Sequence, residues 1–235
     1  SSLAFKDSIL EIPAIVRHEG RSYCVKGIEK FAFTTCCAIK HLKISEGIEA
    51  ISDYAFQACA NLESVSIPSS IKVIGVAPFQ YCTCLTTIVV DKTNPIFDSR
   101  EGCNAIIKTQ DNSLIVGSGA TKIPSSVRCI DKYAFMGCQA EEFAIPDGVK
   151  RIIFFAFSSC PNLKKIVIPA SVETIEELAF DNCPGVISIV VDKNNTEYDS
   201  RNGCNAIIYS SDNKLILGCC STIIPQDIEK IGEFA

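Results

Sequence analysis

Repetition with a period of about 23 residues is the feature of this sequence that most constrains its fold. An Ala-Phe pair or a close variant recurs along the chain, ending at Phe33, Phe56, Phe79, Phe135, Phe157 and Phe180. Four of the five intervals between successive Phe residues are 22 or 23 residues, and the remaining one is 56 residues. A fixed period in this range is the signature of a solenoid, in which each unit buries its apolar face against the next unit. We therefore predict a chain of stacked coils.

Two longer units interrupt the short period and are copies of each other. The stretch "VVDKTNPIFDSREGCNAIIKTQDNSLIVGSGATKIP" recurs 101 residues later as "VVDKNNTEYDSRNGCNAIIYSSDNKLILGCCSTIIP". The long coils cover approximately residues 91–124 and 192–225, and each follows three short coils. No linker rich in Pro, Gly or Ser separates any part of the chain, so we predict that residues 1–235 form one domain.

The pattern within a coil predicts its local structure. In one short coil, apolar and polar residues alternate from Leu62 to Ile67, as in a half-buried strand with Leu62, Val65 and Ile67 inward. The segment around Phe79 is too short for a stable helix, which favours a single helical or 3₁₀ turn with the ring inward. In the long coils, apolar runs flank "TQDN" and "SSDN", which predicts inserted β-hairpins. The loop "HEGRSY" lengthens the N-terminal coil in the same way.

The repeat resembles the bacterial surface leucine-rich repeats of the BspA-like type, whose units read I-P-x-x-V-x-x-I-x-x-x-A-F-x-x-C-x-x-L. Residues 168–186, "IPASVETIEELAFDNCPGV", match nearly every position, and the resemblance covers essentially the whole chain. The long coil with "DSRxGCNAII" looks like a variant of such proteins from Bacteroides-type bacteria. The resemblance implies a right-handed, strand-rich leucine-rich-repeat solenoid with short helical or 3₁₀ turns. It also implies an extracellular or cell-surface adhesin-like protein that binds host matrix protein, other cells or polysaccharide.

Composition and motifs argue against several other functions. The net charge is −5 with only 22 Lys and Arg residues, so we expect no nucleic-acid partner. No apolar run approaches the roughly 18 to 20 residues that span a bilayer. The two histidines, His18 and His41, are far apart in sequence, and no nucleophile, phosphate-loop or zinc motif occurs. We expect a non-enzymatic binding scaffold without metal or cofactor; the alternatives are a structural spacer that presents another domain and an enzyme that acts through a long-coil loop.

Six of the fourteen cysteines form one column of the predicted solenoid, because each lies three residues after a repeat Phe. These are Cys36, Cys59, Cys82, Cys138, Cys160 and Cys183. Side chains in register on stacked coils lie about 4.8 Å apart and parallel, whereas a disulfide needs converging Cβ atoms about 3.5 to 4.5 Å apart. We predict that the column thiols are unbonded small hydrophobes. Serine in their place should destabilise the protein, because no partner for its hydroxyl group is evident.

The triplets Asp98-Ser99-Arg100 and Asp199-Ser200-Arg201 recur at the same place in the two long coils. One interpretation is a structural corner, in which Asp caps a turn, Ser bonds the backbone and Arg pairs with the carboxylate of a neighbouring coil. The other interpretation is a loop that contacts a ligand. The residue types favour the corner, since Asp and Ser are common turn-forming residues.

The outward side chains of the predicted strands form the candidate ligand-binding surface, which we name the strand face. Its members are Lys40, His41, Lys43, Glu63, Ser64, Ser66, Thr86, Thr87, Val89, Glu141, Glu142, Lys164, Lys165, Val167, Ile187, Ser188 and Val190. They include no aromatic cluster, so neither a platform for stacking sugars nor a strong aromatic hot spot is predicted. Val89, Val167 and Val190 suggest an exposed apolar column, although β-propensity alone also explains them.

The C-terminal segment carries core-type residues without a polar cap. Ala235 corresponds to Ala134 one super-repeat earlier, and Ile228 and Ile231 fall at core positions. Terminal repeats normally carry a polar cap that covers the core of the last coil. We therefore expect the sequence to be a piece of a longer chain, and its last coil to fray or to associate end to end with a second copy.

Overall fold

The computed structural model describes residues 8–233 and 235, and short strands and turns make up most of the fold. Within the described residues, the helical elements are two three-residue 3₁₀ helices, Arg100–Gly102 and Arg201–Gly203. The chain packs as two compact units. Unit 1 comprises the described residues up to Asp111 together with Ile115–Thr121, and unit 2 comprises Asn112–Leu114 together with Lys122–Ala235. The assignment of residues 1–235 to one domain stays a prediction.

Unit 1 contains two parallel sheets to which successive coils each add one strand. Its strands are β1 (Ile9–Ile12), β2 (Ile15–His18), β3 (Arg21–Cys24), β4 (Gly27–Ile28), β5 (His41–Ile44), β6 (Ala50–Ile51), β7 (Ser64–Ile67), β8 (Val73–Ile74), β9 (Thr87–Val90), β10 (Phe97–Asp98) and β11 (Ile106–Lys108). The first sheet has the order β1-β5-β7-β9 and the second has the order β4-β6-β8. Strands β2 and β3 form the hairpin predicted around "HEGRSY", and β10 pairs antiparallel with β11.

The strand register in unit 1 follows the repeat period. Leu42 of β5 lies opposite Val65 of β7, which lies opposite Ile88 of β9. All three side chains are almost fully buried. Their strand neighbours point outward, as the alternation of side chains in a strand requires. The predicted inward positions Leu62, Val65 and Ile67 are therefore confirmed.

Unit 2 repeats this architecture. Its strands are β12 (Ser113–Val116, of which Ser113 and Leu114 belong to unit 2), β13 (Cys129–Ile130), β14 (Arg151–Ile152), β15 (Lys165–Ile168), β16 (Thr174–Ile175), β17 (Ser188–Val191), β18 (Tyr198–Asp199), β19 (Ile207–Tyr209), β20 (Lys214–Leu217) and β21 (Lys230–Ile231). Strands β13, β14 and β16 are parallel neighbours, as are β15 and β17. The hairpin predicted around "SSDN" is β19 and β20. The predicted strand-rich β-solenoid is confirmed.

The segment around each repeat Phe forms consecutive turns instead of a helix. The residues two positions before and after Phe56, Tyr54 and Ala58, both have positive φ angles, 55° and 56°. Within the segment, hydrogen bonds from the N–H of residue i to the carbonyl of residue i−3 alternate with hydrogen bonds to the next coil. One of the latter joins the Phe56 N–H to the Pro78 carbonyl at 2.9 Å. This backbone turns the repeat Phe inward, as predicted. In unit 1 the ring of Phe56 stacks on Phe33 and Phe79, with centroids 5.1 and 5.4 Å apart.

One asparagine, buried in unit 1 and partly buried in unit 2, shapes the corner of each long coil. The side-chain amide of Asn94 donates to the carbonyls of Pro68 and Ile71, both at 3.0 Å. Its side-chain oxygen accepts from the N–H groups of Ile96 and Phe97, both at 2.9 Å. In unit 2, the equivalent asparagine makes the same four bonds. One asparagine thus joins the long coil to the preceding coil.

The cysteine column makes hydrogen bonds as well as apolar contacts. The thiols of Cys59 and Cys82 donate to the carbonyls of Phe33 and Phe56 at 3.0 and 3.2 Å. In unit 2, Cys160 and Cys183 bond the carbonyl of the preceding repeat Phe in the same way. A hydroxyl group at these positions would therefore find an acceptor. The expectation that serine would lack a hydrogen-bond partner is therefore wrong. The sequence could not show these acceptors, because the stacking of the coils determines where the carbonyl groups lie.

Replacing Cys160 with serine should change the free energy of unfolding by less than about 1 kcal/mol, because the hydroxyl group retains a bond to the carbonyl of Phe135. Replacing it with alanine removes this bond and the buried sulfur atom, so we expect a loss of about 1 to 2 kcal/mol. Urea denaturation of the two variants and the wild type measures both effects. A serine variant as unstable as the alanine variant would contradict the hydrogen-bonding role of the thiol.

Candidate functional site

The strand face of unit 1 consists of two columns of outward side chains on the first sheet. His41, Ser64 and Thr87 lie opposite one another on β5, β7 and β9. Lys43, Ser66 and Val89 form the second column. The residues that precede these strands, Lys40, Glu63 and Thr86, are also at least partly exposed. The structure thus brings together all nine strand-face residues predicted in unit 1.

Sequence reasoning missed one strand of this surface. Ile9 and Glu11 of β1 extend the two columns, since they lie opposite His41 and Lys43. Ile9 is 46% exposed. The sequence "ILEIP" shows the alternation and the Ile-Pro marker of the other coils, so this signal was sufficient to find the strand.

Charges on the strand face of unit 1 pair between adjacent coils. Lys43 lies 3.1 Å from Glu11, and Lys40 lies 3.1 Å from Glu63. His41 Nδ1 and Ser64 Oγ are hydrogen-bonded at 2.8 Å. The paired charges leave Ser66, Thr86, Thr87 and Val89 as an uncharged part of the surface. This part can be desolvated at lower cost than a charged patch.

The strand face of unit 2 has the same construction and a more apolar surface. Its members are Lys165 and Val167 on β15, Ser188 and Val190 on β17, and Glu141, Glu142, Lys164 and Ile187 beside them. Lys165 lies opposite Ser188, and Val167 lies opposite Val190. Lys164 pairs with Glu141 at 2.8 Å. Val167, Val190 and Ile187 are 37%, 42% and 57% exposed, which gives this surface a small apolar cluster.

The second sheet of unit 1 carries a ladder of charges. Glu49 accepts hydrogen bonds from Lys72 at 2.8 Å and from Lys26 at 2.9 Å. These two bonds and the attraction of both ammonium groups lower the pKa of Glu49 to about 2. Lys150 and Glu173 form a similar pair in unit 2, at 2.6 Å. The shifted pKa of Glu49 follows from pairing between coils, so it does not by itself indicate catalysis.

The recurring Asp-Ser-Arg triplets are structural corners. The Arg201 side chain makes a bidentate pair with Asp199 and also bonds Asp227, which belongs to a later coil, at 2.6 Å. Ser200 Oγ accepts from the Val191 N–H at 3.0 Å. Burial alone would raise the pKa of Asp199, but hydrogen bonds from Arg201 and Ser210 lower it. The first triplet has the same serine contact and the same bidentate pair. The turn and serine contacts of the corner are confirmed in both triplets, and the arginine pair with a neighbouring coil is confirmed in the second.

Two observations on the described residues bear on metal binding and on clefts. They contain no group of three or more His, Cys, Asp and Glu side chains that could hold a metal ion. A cleft of about 340 Å³ in unit 2 is lined by Glu176, Tyr198 and Tyr209 among others. Two of its polar side chains bond the backbone: Glu176 accepts from the Phe154 N–H at 3.0 Å, and the Tyr198 hydroxyl accepts from the Ile175 N–H at 2.8 Å. None of the described helices is long and apolar enough to cross a bilayer.

Sequence reasoning also missed a pair of aromatic rings outside the strand face, which we name the aromatic pair. Phe31 and Tyr54 occupy the position two residues before the repeat Phe in adjacent coils. Their ring centroids are 5.4 Å apart and their planes differ by 10°. The Lys30 ammonium lies over both rings, 5.1 and 5.5 Å from the centroids. The spacing of "KFAF" and "DYAF" was the available signal.

Two crystal structures show the same fold. A leucine-rich cell surface protein from Faecalibacterium prausnitzii A2-165 has 24% sequence identity and a TM-score of 0.52, over 90% of this chain and 54% of its own. A leucine-rich repeat protein from Eubacterium ventriosum ATCC 27560 has 16% identity and a TM-score of 0.54, over 78% of this chain and 60% of its own. The alignments therefore span little more than half of each solved protein. Among curated proteins, none matches the chain.

The family comparison covers most of the sequence. Residues 20–104 and 119–210 match the BspA type leucine-rich repeat region, in six copies. These ranges contain the repeat Phe residues, the cysteine column and the greater part of both long coils. They amount to well over half of the 235 residues. The chain therefore belongs to the BspA-type leucine-rich repeat family.

Proposed function

We propose that this protein is a non-enzymatic recognition scaffold that binds a protein ligand through the strand face. The observation that carries the proposal is the regular array of outward side chains on the first sheet, in which Lys40 and Lys43 are neutralised by adjacent coils. Stacked repeats create extended binding surfaces of this kind. Polar side chains of the long-coil corners, and Glu176 and Tyr198 in the cleft of unit 2, hold backbone in place, which supports binding as the function in preference to catalysis.

The surface chemistry favours a protein over a polysaccharide at the strand face. Protein interfaces have an uncharged centre surrounded by a polar rim. Val89 is 51% exposed beside neutral Ser66 and Thr87, and the paired charges lie on their β5 side. Val167 and Val190 provide a similar centre in unit 2. The predicted strand face lacks the aromatic rings on which sugars would stack.

The proposed location is extracellular or on the bacterial cell surface, with an adhesive role toward host matrix or other cells. Membership of the BspA-type family supports this location. One protein of similar fold is described as a cell surface protein. A structural spacer and an enzyme that acts through a long-coil loop are the two alternatives. The spacer requires no ligand at the strand face, so a binding experiment separates it from the proposal.

The test compares two exposed valines of unit 1 that lie on different sheets. Val89 belongs to the strand face, whereas Val73 is 57% exposed on β8 of the second sheet. The wild type and the variants Val89→Asp and Val73→Asp are measured for binding to a panel of immobilised, purified extracellular-matrix proteins. We expect Val89→Asp to weaken binding at least tenfold, about 1.4 kcal/mol, because it places an unpaired charge in the interface.

Val73→Asp is the matched control for charge and residue type, and it should bind as the wild type does. Thermal unfolding of both variants verifies that each remains folded. Equal loss of binding in the two variants would contradict the assignment of the strand face. If the wild type bound no member of the panel, the result would favour the structural spacer.

A further inference from the structure

The cleft in unit 2, which we name the unit 2 cleft, has the size and the lining of a site for a small organic molecule. Its volume is about 340 Å³, within the range typical of ligand pockets. Its walls come from the coil of β16, from β19 and β20, and from the residues that follow β21. The apolar part of the lining includes Leu178, Phe180, Tyr198, Tyr209, Ile216 and Leu217. Such a surface can bury the hydrocarbon part of a ligand.

Hydrogen bonds and ring packing fix one wall of the unit 2 cleft. The Tyr198 hydroxyl holds the Ile175 N–H at 2.8 Å, and Glu176 holds the Phe154 N–H at 3.0 Å. The ring of Tyr198 is buried and packs against that of Tyr209, with centroids 5.6 Å apart. A ligand therefore meets a wall that is already ordered, which reduces the entropy lost on binding.

Carboxylates dominate the charge of the unit 2 cleft. Among the lining residues that the structure describes, the acidic ones are Glu173, Glu176, Glu177, Asp181 and Glu233. The basic residue among them is Lys214. Glu173 is paired with Lys150, outside the cleft, which leaves four carboxylates and one ammonium group. Their field attracts cations, and the net charge of −5 of the whole chain acts in the same direction.

The repeat itself does not require these carboxylates, as the sequence 101 residues earlier shows. The five acidic positions there carry Lys72, Gly75, Val76, Gln80 and Lys132. The strands of the equivalent long coil nevertheless form at the same places, since Ile106–Lys108 corresponds to Ile207–Tyr209. Formation of the coils therefore does not explain the acidic residues of the unit 2 cleft. A ligand that needs negative charge does.

The distribution of the carboxylates favours one kind of cation. Within residues 8–233 and 235, no group of three or more His, Cys, Asp and Glu side chains could hold a metal ion. Glu176 and Glu177 follow β16, whereas Glu233 follows β21, so the negative charge comes from two coils. A linear cation with charges separated by methylene groups matches this lining. Its ammonium groups can pair with carboxylates while its methylene groups contact the apolar side chains.

We propose that the unit 2 cleft binds a linear aliphatic amine that carries two or more ammonium groups. Glu177 and Glu233 are its principal partners, because both are exposed and they come from different coils. The unit 2 cleft shares no residue with the strand face, so this activity is additional to the proposed function. Loss of one need not entail loss of the other.

Isothermal titration calorimetry with cadaverine, a five-carbon chain with an ammonium group at each end, tests the proposal. Pentane-1,5-diol is the uncharged control of the same length, and calcium chloride is the inorganic cation. The variants are Glu177→Gln, Glu233→Gln and the double variant, since glutamine removes the charge and keeps the size of the side chain. Glu29→Gln is the matched control, because Glu29 is exposed in unit 1, outside the cleft.

We expect the wild type to bind cadaverine with a dissociation constant below about 1 mM and to bind the diol at least tenfold more weakly. Each single cleft variant should raise the dissociation constant for cadaverine about threefold, as expected for one partly exposed ion pair, and the double variant about tenfold. Glu29→Gln should bind as the wild type does. Thermal unfolding of each variant separates loss of binding from loss of fold.

Four outcomes would overturn the assignment of the unit 2 cleft as an amine site. These are no binding of cadaverine, equal binding of the diol, binding of calcium as tight as that of cadaverine, and an unchanged affinity in the double variant. A loss of affinity in Glu29→Gln as large as that in the single cleft variants would also contradict it, because the effect would then reflect overall charge.

Discussion

Replacing Phe157 with alanine is expected to lower the free energy of unfolding by about 3 to 5 kcal/mol. The ring is fully buried and stacks between Phe135 and Phe180, with centroid distances of 4.9 and 5.1 Å. Phe143 packs against it from a third direction, at 5.1 Å. The coils on either side are fixed by backbone hydrogen bonds such as Phe157 N–H to the Ala179 carbonyl, at 2.7 Å. The cavity therefore cannot close by collapse of its walls.

Guanidinium denaturation at pH 7 measures this loss for Phe157→Ala. Phe155→Ala is the matched control, because Phe155 belongs to the same coil but is only partly buried. It should lose less than half as much stability. A loss below about 1 kcal/mol for Phe157→Ala would contradict the assignment of the stacked rings as a rigid core.

Replacing Asn94 with aspartate should cost about 3 to 5 kcal/mol at neutral pH, although the two side chains have nearly the same shape. The side-chain amide of Asn94 donates to the carbonyls of Pro68 and Ile71, and the residue is buried. An aspartate at this position loses both donors and places a negative charge beside two carbonyl oxygens. The N–H groups of Ile96 and Phe97 would still bond one carboxylate oxygen and favour the charged form. We expect burial and the two carbonyl oxygens to outweigh these bonds, so the pKa of Asp in the folded variant should lie above the unfolded value of about 3.9.

The sign of the pH dependence follows from this raised pKa. Below about pH 3.9 the carboxyl group is protonated in both states and can donate one bond, so the variant should be closest to the wild type there. The penalty should grow as the pH rises and reach its full size above the pKa of the folded state. Denaturation of the variant and the wild type from pH 3 to pH 8 measures this change.

Asn61→Asp is the control for the asparagine prediction, because the Asn61 amide makes a single bond, to the Cys37 carbonyl, at an exposed site. It should show a small loss at every pH. A constant difference between Asn94→Asp and the wild type over the whole range would contradict the buried, doubly donating role of Asn94.

The repeat period was sufficient to predict the strands and their register. Residues 23 apart, such as Leu42 and Val65, must occupy equivalent places in successive coils, so one alternating stretch determines the orientation of the others. The same reasoning identified the cysteine column and the outward position of the strand face. The roles of the Asp and Ser residues in the Asp-Ser-Arg corners were also predictable from the sequence, because these side chains commonly bond the backbone in turns.

Features that depend on contacts between coils were not readable from the sequence. Local preferences argue against positive φ at Tyr54, yet the hydrogen bonds between coils impose it. The four bonds of Asn94 connect residues up to 26 positions apart, and nothing in "TNP" indicates them. For the aromatic pair the sequence offered only the spacing of "KFAF" and "DYAF", because neither Phe31 nor Tyr54 lies in the alternating strand pattern.

Photo-crosslinking to a bound matrix protein determines whether the strand face contacts a protein ligand. Benzoylphenylalanine is placed at position 89 of the strand face or at position 73 of the second sheet, both of which are exposed valines in unit 1. We expect a crosslink to the bound protein from position 89 and none from position 73. A crosslink from position 73 alone would contradict it.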